Sequence, residues 1–227
     1  MQYRLIGNTV PAVEMTLNKG ESVFTQSGGM VWQSDGIQMQ TNTKGGIMKG
    51  IGRMFAGENF FMNTYEAQKD NAIIAFGSTN PGAIVPVVFD KNHPGLIVQK
   101  GAFLCAETGV NTEVTLTKKF GAGLFGGEGF VLQNVSGEGT AFLEVDGDIV
   151  EKELKEGETI LVDTGNVVAF EKTCSYDITT VKGMKNIVFG GEGLFLTKLV
   201  GPGKIILQTQ NFYDFANKII KLVPTNK

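Results

Sequence analysis

The polar residues whose spacing most invites chemistry are three glutamates in matching glycine-rich contexts. Met54-Phe55-Ala56-Gly57-Glu58-Asn59 is followed by Leu124-Phe125-Gly126-Gly127-Glu128-Gly129, and then by Val188-Phe189-Gly190-Gly191-Glu192-Gly193. Brought together by an internal threefold, Glu58, Glu128 and Glu192 could bind a hard cation or share protons with raised pKa values. Held apart, each would accept hydrogen bonds from the amides of its own glycine turn, which is the expected role. Basic residues precede each loop, Lys49 and Arg53, Lys118 and Lys119, Lys182 and Lys185, interleaved with Met and Phe side chains. Such a ring could meet phosphates or an anionic membrane surface, although solvated lysines beside core hydrophobics account for the same letters. Glu58, Glu128, Glu192, Lys118, Lys119, Lys182, Phe125 and Phe189 are therefore the candidate partner-binding residues.

Other chemistries are poorly supported. Gly121, Gly123 and Gly126 satisfy G-x-G-x-x-G, but they lead into another glycine turn and the strand Phe130-Val131-Leu132, where a dinucleotide site needs a helix N-terminus. His93 is the single histidine and sits in an Asn-His-Pro-Gly turn, so a multi-histidine metal site is excluded and a nucleophilic triad has one imidazole to draw on. Cys105 lies in an apolar strand and Cys174 has no activating neighbour; both are expected to be unreactive. Asp146 and Asp148 flank Gly147 as turn formers rather than as a glycosidase pair. Trp32 is expected to anchor core rather than to serve as a ligand platform. No catalytic, metal or cofactor site is predicted, and the chain is not read as an enzyme.

The elements that would position these residues are strands. The chain has 227 residues, 42% of them hydrophobic, enough for a sizeable core without staples. Its 31 glycines against 6 prolines are spread along the chain, as many tight turns between short strands require. Glu138–Asp146 alternates with period two, and Asp146-Gly147 reads as a hairpin turn into Ile149, Val150 and Leu154. Lys204–Thr209 takes the corresponding place later in the chain.

A repeat organises these strands. The loop glutamates recur at intervals of 70 and 64 residues, and Leu17-Asn18-Lys19-Gly20-Glu21 matches Leu154-Lys155-Glu156-Gly157-Glu158 at an offset of 137. Gly28 and Gly165 share that offset, with Gly101 in the middle place. The middle turn, Asn92-His93-Pro94-Gly95, has diverged. The fold class expected is all-β: three sandwich or double-stranded β-helix units, roughly 1–80, 81–150 and 151–210, and a terminal helix over 211–223. Asn211 caps that helix, Phe212, Phe215, Ala216, Ile219 and Ile220 share one face, and Pro224 comes after its end. Its expected role is to close an open end of the β core; the alternative is a docking helix for another subunit.

With the triplicated loops and the final Asn-Phe-Tyr-Asp-Phe-Ala helix, the full length resembles the mitochondrial-biogenesis family whose yeast member is named for altered inheritance of mitochondria, as a bacterial-type member. The resemblance implies a fold akin to the tryptophan RNA-binding attenuation protein, with three β units per chain around a pseudo-threefold axis. It implies an association with inner-membrane organisation in eukaryotic members, and it supplies no catalytic residues to carry over. The first loop, with Ala56 and Asn59, departs from the Gly-Gly-Glu-Gly pattern.

These readings converge on a non-enzymatic scaffold or binding protein, with an unidentified protein partner or a membrane surface as its target. A small-ligand protein or enzyme using a β-unit cavity is the first alternative and an RNA-binding protein the second. A net charge of −3 disfavours nucleic acid. No apolar run reaches the roughly 20 residues that span a bilayer, the longest, Ala83–Phe89, being broken by Pro86. Two cysteines and a start without a signal sequence lead us to expect a cytoplasmic protein. Sheet edges leave homo-oligomer formation open.

Overall fold

The computed structural model describes residues 1–26, 28–41, 62–118, 130–180, 195–220 and 222–223. The described residues form nineteen strands and one α-helix. The strands are β1 (Gln2–Ile6), β2 (Ala12–Leu17), β3 (Ser22–Thr25), β4 (Met30–Gln33), β5 (Ile37–Thr41), β6 (Asn63–Ala67), β7 (Ala72–Gly77), β8 (Gly82–Phe89), β9 (Leu96–Gln99) and β10 (Phe103–Glu107). They continue as β11 (Val110–Lys118), β12 (Phe130–Gly137), β13 (Gly139–Asp146), β14 (Ile149–Leu154), β15 (Thr159–Asp163), β16 (Val167–Glu171), β17 (Ser175–Thr180), β18 (Phe195–Val200) and β19 (Gly203–Gln208). Helix α1 is Phe212–Ile220. The all-β class with a short terminal helix is as expected from the sequence.

The strands make four sheets, ordered β1-β2-β7-β4, β5-β6-β3-β10-β13-β8, β11-β12-β9-β16-β19-β14 and β15-β18-β17. Every described pairing is antiparallel. Alternation decides which way each strand faces: along β2, Val13, Met15 and Leu17 are fully buried. Three apolar clusters fill the spaces between successive sheets. The first joins Val13, Met15, Ile74 and Phe76 of sheet one to Tyr65, Leu104 and Phe142 of sheet two. The second joins Phe24, Phe103, Leu143 and Val145 of sheet two to Val98, Val135 and Ile206 of sheet three. The third joins Ile97, Phe130, Phe170 and Ile205 of sheet three to Val162, Ile178 and Leu199 of sheet four. Sheets two and three are thus packed on both faces. Consecutive residues of β13 divide accordingly, Phe142 going to one cluster and Ala141 and Leu143 to the other. Each fully buried Phe contributes about 1.5–3 kcal/mol by leaving water.

Four local expectations are corrected. Asp146-Gly147 does turn the chain, with Gly147 at φ 69°, yet β13 and β14 are not a hairpin: β13 pairs with β8 and β10, and β14 with β19. The amides of the turn are taken elsewhere, that of Asp146 by Gln208 Oε1 (2.9 Å) and that of Asp148 by Thr209 Oγ1 (2.9 Å). Pro86 does not break its apolar run; β8 passes straight through it because β8 is an edge strand, where the missing N–H costs no ladder bond. Trp32 is not a core anchor: it is 39% exposed, and its Nε1–H donates to Glu14 Oε2 at 3.0 Å. Helix α1 does not close the core, since none of its residues is buried.

Candidate interaction site

Of the residues singled out for partner binding, Glu58, Glu128, Glu192, Lys119, Lys182, Phe125 and Phe189 lie outside the described residues. Lys118 is the last residue of β11, its backbone opposite Phe130. The strands that carry the three glycine-rich segments are described. Each segment connects two antiparallel neighbours, which face each other as Thr41 with Asn63, Lys118 with Phe130 and Thr180 with Phe195. All three are connections within hairpin pairs.

Helix α1 buries none of its residues, and its apolar side chains are left partly exposed. Its N-terminus is fixed by a socket of polar groups. Asn211 Oδ1 accepts the amide of Tyr213 (3.0 Å), Asn211 O accepts the amide of Phe215 (3.1 Å), and Asp146 Oδ2 accepts the amide of Phe212 (2.9 Å). Asparagine as cap was legible in the sequence; Asp146, 66 residues upstream, was not. A carboxylate there also suits the positive end of the helix dipole. The socket is built by the end of β19: Gln208 Nε2 donates to Gly165 O (2.8 Å), and Asn166 Nδ2 donates to Gln208 O (2.8 Å). A Cβ at Gly165 would overlap the Asn211 side-chain amide, which would have to move.

Beyond this anchor the helix stands off the body. An open cleft of about 310 Å³ runs beneath it, lined by Asn166, Thr209, Gln210, Asp214, Phe215 and Lys218. Phe212, Phe215 and Ile219 are 37%, 46% and 47% exposed. Ile220, Leu222 and Val223 extend the apolar surface to the end of the described chain.

A second polar cluster surrounds Glu144 on β13, the strand next to the β8 edge of sheet two. Glu144 accepts from the amide (2.8 Å) and hydroxyl (2.9 Å) of Thr79 and from the hydroxyl of Ser78 (3.3 Å). Burial nonetheless pushes its carboxyl above the ordinary range, and the nearby Asp146 charge adds to that. Cys105 is fully buried and its thiol is pushed well up, first by burial and then by Glu144, so thiolate chemistry is disfavoured. Cys174 is buried against Pro202, its thiol also raised by burial. His93 is a turn residue as expected, its Nδ1 accepting the amide of Gly95 (3.0 Å) and its ring resting on Phe89. Among the described residues no group of three or more His, Cys, Asp or Glu side chains is placed to hold a metal ion. No described helix is long and apolar enough to cross a membrane.

Three comparisons bear on ancestry. An uncharacterised protein of Streptococcus pyogenes serotype M6 is 30% identical over 224 residues, covering 95% of this chain and 88% of its own length. A crystal structure of a Streptococcus pyogenes protein superposes with a TM-score of 0.78 at 26% identity, covering 98% of this chain and 99% of that one. The family described as mitochondrial biogenesis AIM24 matches residues 3–210, nearly the whole β body, and the chain therefore belongs to that family.

Proposed function

We propose that the chain is a non-enzymatic scaffold, built of three copies of one six-stranded unit, that offers its C-terminal helix to a groove on a protein partner. The units span 12–77, 82–146 and 149–208. The strand pairing supports this division. In each unit the first strand pairs with the sixth (β2–β7, β8–β13, β14–β19), and the third also pairs with the sixth (β4–β7, β10–β13, β16–β19). The fifth strand pairs with the second (β3–β6, β9–β12, β15–β18) and with the fourth (β5–β6, β11–β12, β17–β18). The third strand slips register between Met30 and Trp32, between Phe103 and Cys105, and between Val167 and Ala169. The matching Gly-Glu turns also agree: Glu21 Oε2 accepts the amide of Asn18 (2.7 Å), as Glu158 Oε2 accepts that of Lys155 (2.9 Å).

The observation that carries the functional reading is the exposed stripe on α1. Phe212, Phe215 and Ile219 occupy positions i, i+3 and i+7, the spacing by which a helix fills an apolar groove. Each is about half covered already, so a partner would recover about half of the ~1.5–3 kcal/mol that full burial of such a side chain is worth. A membrane surface is the second reading, favoured by Ile220, Leu222 and Val223 at 64%, 82% and 58% exposure. Nine residues, about 13.5 Å of helix, give a short interfacial anchor, and the protein's net charge of −3 opposes anionic lipid.

The test is capture from the source cell with the full chain and with Phe215→Ser/Ile219→Ser, alongside sedimentation with phosphatidylcholine and phosphatidylglycerol vesicles. The proposal expects a protein retained by the parent chain and lost with the variant, and neither form sedimenting. Retention of the same proteins by both would overturn it; sedimentation of the parent chain alone would replace it with the membrane reading.

A further inference from the structure

The sheet edges of β4 and β15 share a property that the rest of the body lacks. In the scheme of six-stranded units, on which this inference rests, the second strand of each unit meets the third strand of the next. β3 pairs with β10 through Val23–Glu107, Phe24–Ala106 and Thr25–Cys105, and β9 pairs with β16 through Leu96–Glu171, Ile97–Phe170 and Val98–Ala169. One strand of each kind is left over. Among the described residues β4 pairs only with β7, and β15 only with β18. They end the first and the fourth sheet, each lacking on one side the neighbour that its counterparts have.

Burial divides the strands in the same way. In the third strands, Leu104, Cys105 and Ala106 are 3%, 0% and 0% exposed, and Val168, Ala169 and Phe170 are all 0% exposed. Their counterparts Val31, Trp32 and Gln33 are all exposed, Val31 at 57%. In the second strands, Phe24 and Ile97 are 4% and 8% exposed, whereas their counterpart Leu161 is 60% exposed. Open backbone edges carrying apolar side chains are templates for strand addition. Here the register is dictated by the two junctions inside the chain: Trp32 opposite Val162, Gln33 opposite Leu161, and Ser34 opposite Ile160.

We infer that β4 of one copy of this chain pairs antiparallel with β15 of a second copy, joining the first sheet of one to the fourth sheet of the other as a six-stranded sheet extended by β1. Among the described residues one backbone edge of each strand is without a neighbour in its own chain, and the complementary strand exists in every other copy. The contact is heterologous, each copy using β4 toward one neighbour and β15 toward another, so it propagates into a ring or a filament and not an isolated twofold dimer.

Two experiments on the full chain test this. Gln33→Cys/Leu161→Cys, oxidised and run without reductant, is expected to give a ladder of disulfide-linked multimers. Linked or unlinked monomer alone would overturn the inference, the linked form meaning that the chain closes on itself. Val31→Lys and Leu161→Lys are each expected to be monomeric by light scattering while the parent chain is larger. Mixed together they are expected to form a 1:1 dimer through their one intact edge pair. A monomeric parent chain, or a mixture that stays monomeric, would also overturn it. Slow amide exchange at Ala106 and Phe170 in the Leu161→Lys monomer checks the unit scheme separately, and its failure would discredit the units rather than the contact alone.

Discussion

Gly165 and Gly101 offer a controlled perturbation of the helix. They take the same place in the scheme, in the short 3-10 turns that lead into β16 and β10. An added Cβ at Gly101 meets nothing within 4 Å, whereas at Gly165 it would overlap Nδ2 of Asn211 and lie 2.7 Å from its Cγ. Gly165→Ala therefore displaces the Asn211 side chain and is expected to break its cap on α1, leaving the Asp146 bond to the Phe212 amide in place. Loss of an Asn cap costs about 0.5–2 kcal/mol, typically ~1, and an uncapped helix of this length has little intrinsic stability to spare. A cost of about 1 kcal/mol lowers the ratio of ordered to frayed helix about fivefold. The body should hold, because the three apolar clusters draw nothing from α1. Hydrogen exchange of the peptide spanning 209–223 is the assay. Gly165→Ala is expected to exchange about fivefold faster there with the body peptides unchanged, and Gly101→Ala to match the parent chain. Equal protection in all three proteins would refute the cap and the seating of α1 on this turn.

Other perturbations probe the core and the buried carboxylate. Ile97→Ala removes a buried side chain between the third and fourth sheets and is expected to cost about 2–5 kcal/mol in chemical denaturation, while Leu161→Ala, at an exposed position on the end strand of the fourth sheet, should cost within about 0.5 kcal/mol in monomeric protein. Glu144→Gln tests the raised carboxyl. A folded pKa above the unfolded one means that the stabilising contribution is fully present below the ordinary carboxylate range and is lost as pH rises through the folded pKa. The Gln variant, which carries no charge to bury, should therefore melt higher than the parent chain at neutral pH, with the gap closing on acidification to about pH 4; a gap that widens on acidification would reverse the sign.

Much of the strand content was legible from period-two alternation, which marks Glu138–Asp146 as a strand, but that pattern did not report that β13 and β19 are covered on both faces. Partner choice was less so. Asp146-Gly147 is a sound hairpin signal, but a signal two residues long does not report that Gln208 and Thr209, more than 60 positions on, will claim the flanking amides. Pro86 marks an edge strand rather than a break, which the sequence alone does not distinguish. Trp32 misled for a related reason: large aromatics are mostly buried, but its strand ends a sheet and leaves it 39% exposed. The three glycine loops lie outside the described residues, so only the strands that carry them bear on that expectation. At the helix, the cap and the apolar stripe are local features with local signals. Its failure to bury that stripe depends on where Asp146 and Gly165 place its first turn, a tertiary fact with no local trace.

If the stripe on α1 is a contact surface, a photo-cross-linking residue at position 215 of the full chain, in the source cell, will capture what covers it. The control is the same residue at exposed Glu156. A discrete protein adduct at 215 that is absent at 156 is the expected result. Identical patterns at the two positions, or no adduct at 215, would contradict a docking role for the helix.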